Sequence, residues 1–202
     1  MKKITIGLCL ALTLSFSSTY EDGLAAYKKK DYATTIKIWE ELALKNDIKA
    51  QNELGKMYYY GFVIAPDYQK AYELFERSAN SGDAVGQNFL GQMYSEGKFV
   101  KEDYRKAIEW FSKSVSQNNP LAQFNLAYIY RTGEGVKPDV NKAVELYEKS
   151  AQQGFSSSQL VLAELYWNGY KNLKQDRAKA REWYEKACEK NSRVACEFLE
   201  KN

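Results

Sequence analysis

The chain has 202 residues, 45% hydrophobic and 27% charged, a composition that supports a folded core and excludes a disordered chain. Its 29 basic and 26 acidic side chains leave a net charge of +3, too weak a field to track a phosphate backbone, so no nucleic-acid partner is expected. Histidine is absent, which removes Ser-His-Asp and Cys-His nucleophiles, imidazole metal ligation and a histidine pH switch.

Residues 1–17 read as a secretory signal peptide. Lys2 and Lys3 precede an apolar run from Ile4 to Leu14, and Ser15-Phe16-Ser17 supplies the small-x-small cleavage pattern. That run is too short to span a bilayer comfortably, and no other stretch of the chain approaches a transmembrane span. A retained N-terminal anchor is the alternative. Leu8 before Cys9, with the apolar run continuing beyond it, argues against a lipidated cysteine. Removal of the segment lowers the net charge to +1 and leaves Cys188 and Cys196 as the remaining thiols. An even pair in an exported chain reads as a disulfide, two buried reduced cysteines being the alternative. The expected location is therefore periplasmic or secreted.

Residues 18–46 read as a capping hairpin. Asp31, Thr35, Ile38, Trp39, Leu42 and Ala43 carry a second-helix pattern, and only a tight turn separates them from the helix before. Beyond it the sequence repeats at a spacing of 36 residues, in units placed at 47–82, 83–118, 119–154 and 155–191. Ala50-Gln51-Asn52-Glu53-Leu54-Gly55-Lys56-Met57-Tyr58 aligns with Gly86 to Tyr94, with Ala122 to Tyr130 and with Ser158 to Tyr166. Each unit then reaches a glycine (Gly61, Gly97, Gly133, Gly169), an aspartate (Asp67, Asp103, Asp139, Asp176) and an alanine (Ala71, Ala107, Ala143, Ala180); the last unit has one extra loop residue. The physical content is two amphipathic helices per unit. The glycine ends the first, the aspartate caps the second, and apolar residues recur at three- and four-residue spacing. One hairpin buries too little surface to stand alone, so the units must stack. Residues 192–202 repeat the start of a first helix, then stop, and read as a closing cap.

The pattern A-x3-L-G-x2-Y-x2-G-x-G-V-x2-D-x2-K-A resembles the Sel-one-like repeat (SLR) family, relatives of the tetratricopeptide repeats, over about residues 48–191. Gly133-Glu134-Gly135-Val136-Lys137-Pro138-Asp139 fits the family loop best, whereas Val63, Phe99 and Lys171 stand where its second glycine belongs. The resemblance implies an all-α fold, a right-handed α-solenoid superhelix. It also implies a Cys188–Cys196 bond, because cysteine-rich secreted members place disulfides at the same C-x7-C spacing.

The many aromatic residues mostly occupy repeat positions and are expected to pack. Tyr58, Tyr94, Tyr130 and Tyr166 form a first-helix series; Trp39, Phe75, Phe111, Tyr147 and Tyr184 form a second-helix series. By analogy with tetratricopeptide superhelices, variable first-helix positions line the concave face. They hold Asn52, Lys56 and Tyr59; Asn88, Gln92 and Ser95; Phe124, Tyr128 and Arg131; Leu160, Glu164 and Trp167. The aromatic and apolar second half has the character of a protein interface. The alternative is that tight curvature buries Phe124 and Leu160 between neighbouring helices.

Enzyme readings find little support. Ser95-Glu96-Gly97-Lys98 has the S-x-x-K spacing of penicillin-binding proteins, but S-D-N and K-T-G elements are missing. No cysteine pair has zinc spacing, and glycines at one per hairpin form no phosphate cradle. The expectation is a non-catalytic module that needs no metal or cofactor and binds a protein or peptide on its concave face. A penicillin-binding or weakly β-lactamase-like protein is the alternative, resting on the resemblance.

Overall fold

The computed structural model describes residues 18–201; the expected signal peptide, residues 1–17, lies outside the described residues. The described residues form eleven helices in sequential pairs: α1 (Tyr20–Lys28) with α2 (Tyr32–Leu44), α3 (Ile48–Tyr60) with α4 (Tyr68–Asn80), α5 (Ala84–Glu96) with α6 (Tyr104–Ser116), α7 (Pro120–Thr132) with α8 (Val140–Gln152), and α9 (Ser156–Asn168) with α10 (Arg177–Glu189). The last, α11 (Arg193–Lys201), closes the stack. Each helix packs on the next in sequence. In addition α5 approaches α7, and no two second helices come as near, so the first helices line the inner side.

Local chemistry sets the boundaries. Asp31, Asp67, Asp103, Asp139 and Asp176 cap every second helix, each carboxylate accepting from the backbone N–H three residues on. Asp47, Asp83 and Asn119 do the same for α3, α5 and α7, whereas Phe155 before α9 supplies no side-chain cap. The loops between paired helices vary. Phe99 and Lys171 take the left-handed backbone that Gly135 adopts, with φ of 64°, 51° and 68°, and Val63 does not. In the last repeat the extra residue is absorbed by a small turn in which Tyr170 and Leu173 pair their backbones.

Packing within each pair rests on a second-helix ring pressed against a small first-helix residue. A Cβ at Gly55 would stand 2.7 Å from the Phe75 ring, and one at Gly91 would stand 2.9 Å from Phe111. Between neighbouring units a polar clamp recurs. Tyr58 donates to Glu40 of the preceding unit and lies under Lys70; Tyr166 donates to Glu148 and receives a bond from Lys179. Burial alone would lower the Lys179 ammonium, but its bonds to Glu148 and Tyr166 outweigh that and hold it above its ordinary value.

At the C-terminal end Cys188 and Cys196 form a disulfide with their Cα atoms 4.8 Å apart. It ties the end of α10 to α11, whose Phe198 stacks on Tyr184 at 3.9 Å and meets Trp167 edge-on at 4.8 Å.

Two outcomes are expected. Gly55→Ala should lower the unfolding free energy by about 1–3 kcal/mol in urea titration, because the added methyl must displace the Phe75 ring. Replacing both Cys188 and Cys196 by serine should lower it by roughly 2–3 kcal/mol, the loop-closure value for so short a link, and should speed hydrogen exchange first in α11.

Candidate functional site

The inner wall is built by one face of each first helix. Lys56 is on α3, Gln92 and Ser95 on α5, Phe124, Tyr128 and Arg131 on α7, and Leu160, Glu164 and Trp167 on α9. Tyr128 and Glu164 are exposed, Tyr128 at 41%, and the others are half-buried.

Three expected face residues are instead buried, and their bonds explain why. Asn52 donates to the Asp83 carboxylate at 2.8 Å and accepts from the Ser78 hydroxyl at 2.7 Å, joining α3 to the next unit. Asn88 accepts from Asn125 at 3.0 Å and is 1% exposed. Tyr59 is enclosed by the Phe75, Phe89 and Tyr68 rings and donates to Glu96. These three hold neighbouring units together and present no free face to a partner. Among the half-buried positions, Lys56 is paired with Glu53, Phe124 packs edge-on to Tyr147 and Phe155, and Trp167 is covered in part by Phe198.

Ser95 is not arranged as a nucleophile. Its hydroxyl donates to the Gln92 carbonyl at 2.9 Å, while Lys98 is engaged by Glu96 at 2.8 Å and lies over the Tyr59 and Tyr68 rings. Among the described residues no three Cys, Asp or Glu side chains gather as a metal site.

A recess of about 240 Å³ opens between α5 and α7, lined by Gln92, Tyr104, Phe111, Phe124, Tyr128 and Glu134 among others. Beyond it the Arg131 guanidinium lies 5.2 Å from the Tyr128 ring centre and 5.9 Å from that of Tyr170. Arg131 also faces the Tyr147 phenol. Burial pushes that phenol above its ordinary value, and the guanidinium pulls it partly back. A second recess, about 230 Å³, lies between α1 and α3 under Tyr27, Tyr60 and Phe62. Phe62 is 80% exposed and stacks on Tyr60 at 5.2 Å. A hollow of about 530 Å³ between α2 and α4 is larger and is crossed by the Tyr58–Glu40 and Arg77–Ala43 bonds.

Five buried side-chain polar atoms among the described residues lack a hydrogen bond, each an omission that costs on the order of 1–3 kcal/mol. Two are the Gln51 and Gln159 carbonyls, which stand at the same repeat position. At that position Gln87 and Gln123 accept from Gln117 and Gln153, and the repeats of Gln51 and Gln159 carry no matching glutamine. The other three, Asn88 Nδ2, Arg131 Nε and the Tyr147 hydroxyl, are donors on the units that frame the inner wall. Tyr147 packs at 0% exposure, as its place in the second-helix series predicts, and its phenol meets the Arg131 guanidinium.

The repeats decide the family. Four consecutive stretches, residues 48–83, 84–119, 120–155 and 156–192, match the Sel1 repeat. The chain belongs to the Sel1 repeat family. It is similar to a Sel1 repeat protein from Oxalobacter formigenes, with 29% identity and a TM-score of 0.81, over 91% of this chain and 74% of that one. It is similar also to a protective antigen of uropathogenic Escherichia coli strains that displays an SLR fold, with 34% identity and a TM-score of 0.73. That likeness covers 86% of this chain but 38% of the antigen, so this Sel1 repeat chain spans well under half the antigen's length. An immunity protein from Pseudomonas aeruginosa, 17% identical over 93% of this chain and 75% of its own, shares the fold with a TM-score of 0.60. No curated protein matches the chain. Among the described residues no helix is long and apolar enough to cross a membrane.

Glu96 gives the inner wall a measurable pH response. Burial would raise its carboxyl, but bonds from Lys98, Tyr59 and Gln92 outweigh that and hold it below its ordinary value of 4.5. A depressed carboxylate contributes stability above its unfolded value and loses it as the pH falls through the folded one. The melting temperature of the wild-type chain should therefore fall more steeply below about pH 4.5 than that of Glu96→Gln, as followed by circular dichroism.

Proposed function

We propose that this Sel1 repeat chain is a non-catalytic interaction module, exported to the bacterial envelope or beyond, that binds a protein or an extended peptide on its concave face. The observation that carries the reading is the wall of α7 and α9. Tyr128, Arg131, Leu160 and Glu164 remain at least partly exposed there, beside a recess, although the repeat positions that build the core are filled by other residues. A stack of hairpins suits such a role because each unit adds contact area without disturbing its neighbours. Tyr and Arg are among the side chains that dominate interface energetics. Export is supported by the signal-like first 17 residues and by the Cys188–Cys196 bond, which suits an oxidising compartment. The likeness to a protective antigen of a pathogenic bacterium supports an envelope or secreted setting in which an adaptor, host-interaction or toxin-neutralising role would be exercised.

Capture from envelope extracts tests this. The immobilised chain from residue 18 onward should retain a defined protein that Tyr128→Ala fails to retain, while helical signal and melting temperature stay within experimental error of wild type. Identical capture by both forms would overturn the concave-face reading. A stable adduct of a labelled penicillin on Ser95, seen by intact mass, would overturn the non-catalytic one.

A further inference from the structure

The concave-face reading leaves open what chemistry the wall recognises, and Arg131 narrows it. Its guanidinium lies between the Tyr128 and Tyr170 rings, and it makes no ion pair with any described carboxylate. Glu164 occupies the Tyr128 position one unit on, is exposed, and is not bonded to it. Lys171 lies over the same Tyr170 ring at 5.3 Å and is likewise without an ion pair. Behind the guanidinium, Tyr147 is 0% exposed, and its phenol meets Arg131 and no carboxylate. Phe75 and Phe111 fill the same position without a hydroxyl, so ring packing there does not require one. A half-buried guanidinium that meets a phenol and two ring faces but no carboxylate is a donor set without its anionic acceptor.

We propose that Arg131, flanked by Tyr128 and Tyr170 and backed by Tyr147, binds a carboxylate of the partner polypeptide. The guanidinium fork matches a carboxylate in two parallel bonds, and the tyrosine faces hold it in place without neutralising it. The adjoining recess of about 240 Å³, walled by Phe111, Phe124 and Tyr128, is large enough for an apolar side chain next to that carboxylate. Its acidic members are Glu96, already paired with Lys98, and Glu134, which interacts with Tyr104. The partner segment is therefore an apolar residue beside an Asp or Glu, or beside the chain's own terminal carboxylate.

This inference rests on the concave-face reading, and its test is separable from that one. Three synthetic peptides are titrated into the chain from residue 18 onward: acetyl-Ala-Leu-Glu-Leu-Ala-amide, its Gln version as the amide, and the Gln version with a free terminal acid. The Arg131 Nε–Hε resonance and calorimetry supply the readouts. At least one acid-bearing peptide should shift that resonance and bind at least about tenfold more tightly than the neutral one, an advantage that raised salt and Arg131→Gln remove. Which of the two acids binds identifies the source of the carboxylate. Tyr147→Phe should weaken the acid-bearing peptide by roughly threefold without lowering the melting temperature, since phenylalanine already serves at that position in two other units. Equal affinity for neutral and acidic peptides, unchanged binding by Arg131→Gln, or no binding of any peptide at millimolar concentration would overturn the carboxylate site. The concave-face reading falls on the Tyr128→Ala capture result instead, so the two failures are distinguishable.

Discussion

The architecture depends on a ring in each second helix lying flat against a first-helix residue too small to push it away. Phe75 on Gly55 and Phe111 on Gly91 show the contact at its closest, and Trp39 meets Gly23 in the same way in the capping hairpin. In the third and fourth repeats Ala127 and Ala163 take the small position, and Tyr147 and Tyr184 the ring. Because the contact recurs with the period, the distance between paired helices is fixed in every unit. The inner face then repeats in register, and its side chains are free to vary.

That freedom explains what could be read from the chain and what could not. The helical pairs and their aspartate caps were legible because each serves a local need that recurs with the period, and the terminal cysteine pair because it stood alone as an even pair in an exported chain. The turns were legible less evenly. Phe99 and Lys171 accept the left-handed backbone that Gly135 takes, whereas the first repeat reaches Asp67 by another path through Val63. On the inner wall the periodicity identified the face but not its depth. Asn52 and Asn88 have the polarity of exposed residues, yet each is drawn into a bond with the neighbouring unit, and Tyr59 vanishes beneath the Glu96–Lys98 pair. Depth depends on how near the next first helix comes, and nothing local records that distance.

Polar groups are answered through most of the stack, as in the Tyr–Glu–Lys clamps and the paired glutamines. Of the five exceptions among the described residues, Arg131 and Tyr147 stand together beside the aromatic part of the wall, while Gln51, Asn88 and Gln159 lie elsewhere in the stack. A protein tolerates unanswered donors of this kind where a visiting group completes the network. The same units therefore carry both the fold and the recognition, on different positions of the period.

The covalent link between α10 and α11 makes the two ends of the stack unequal. Only neighbours hold one another, so a unit at the end of the stack is held on one side alone. One terminus is riveted, while the other begins in the nine-residue α1, held by a Thr19–Asp22 capping box and contacts such as Tyr20 on Trp39. The disulfide thus anchors the units next to it, the tyrosine-framed arginine of the third repeat lying one hairpin away from that anchor.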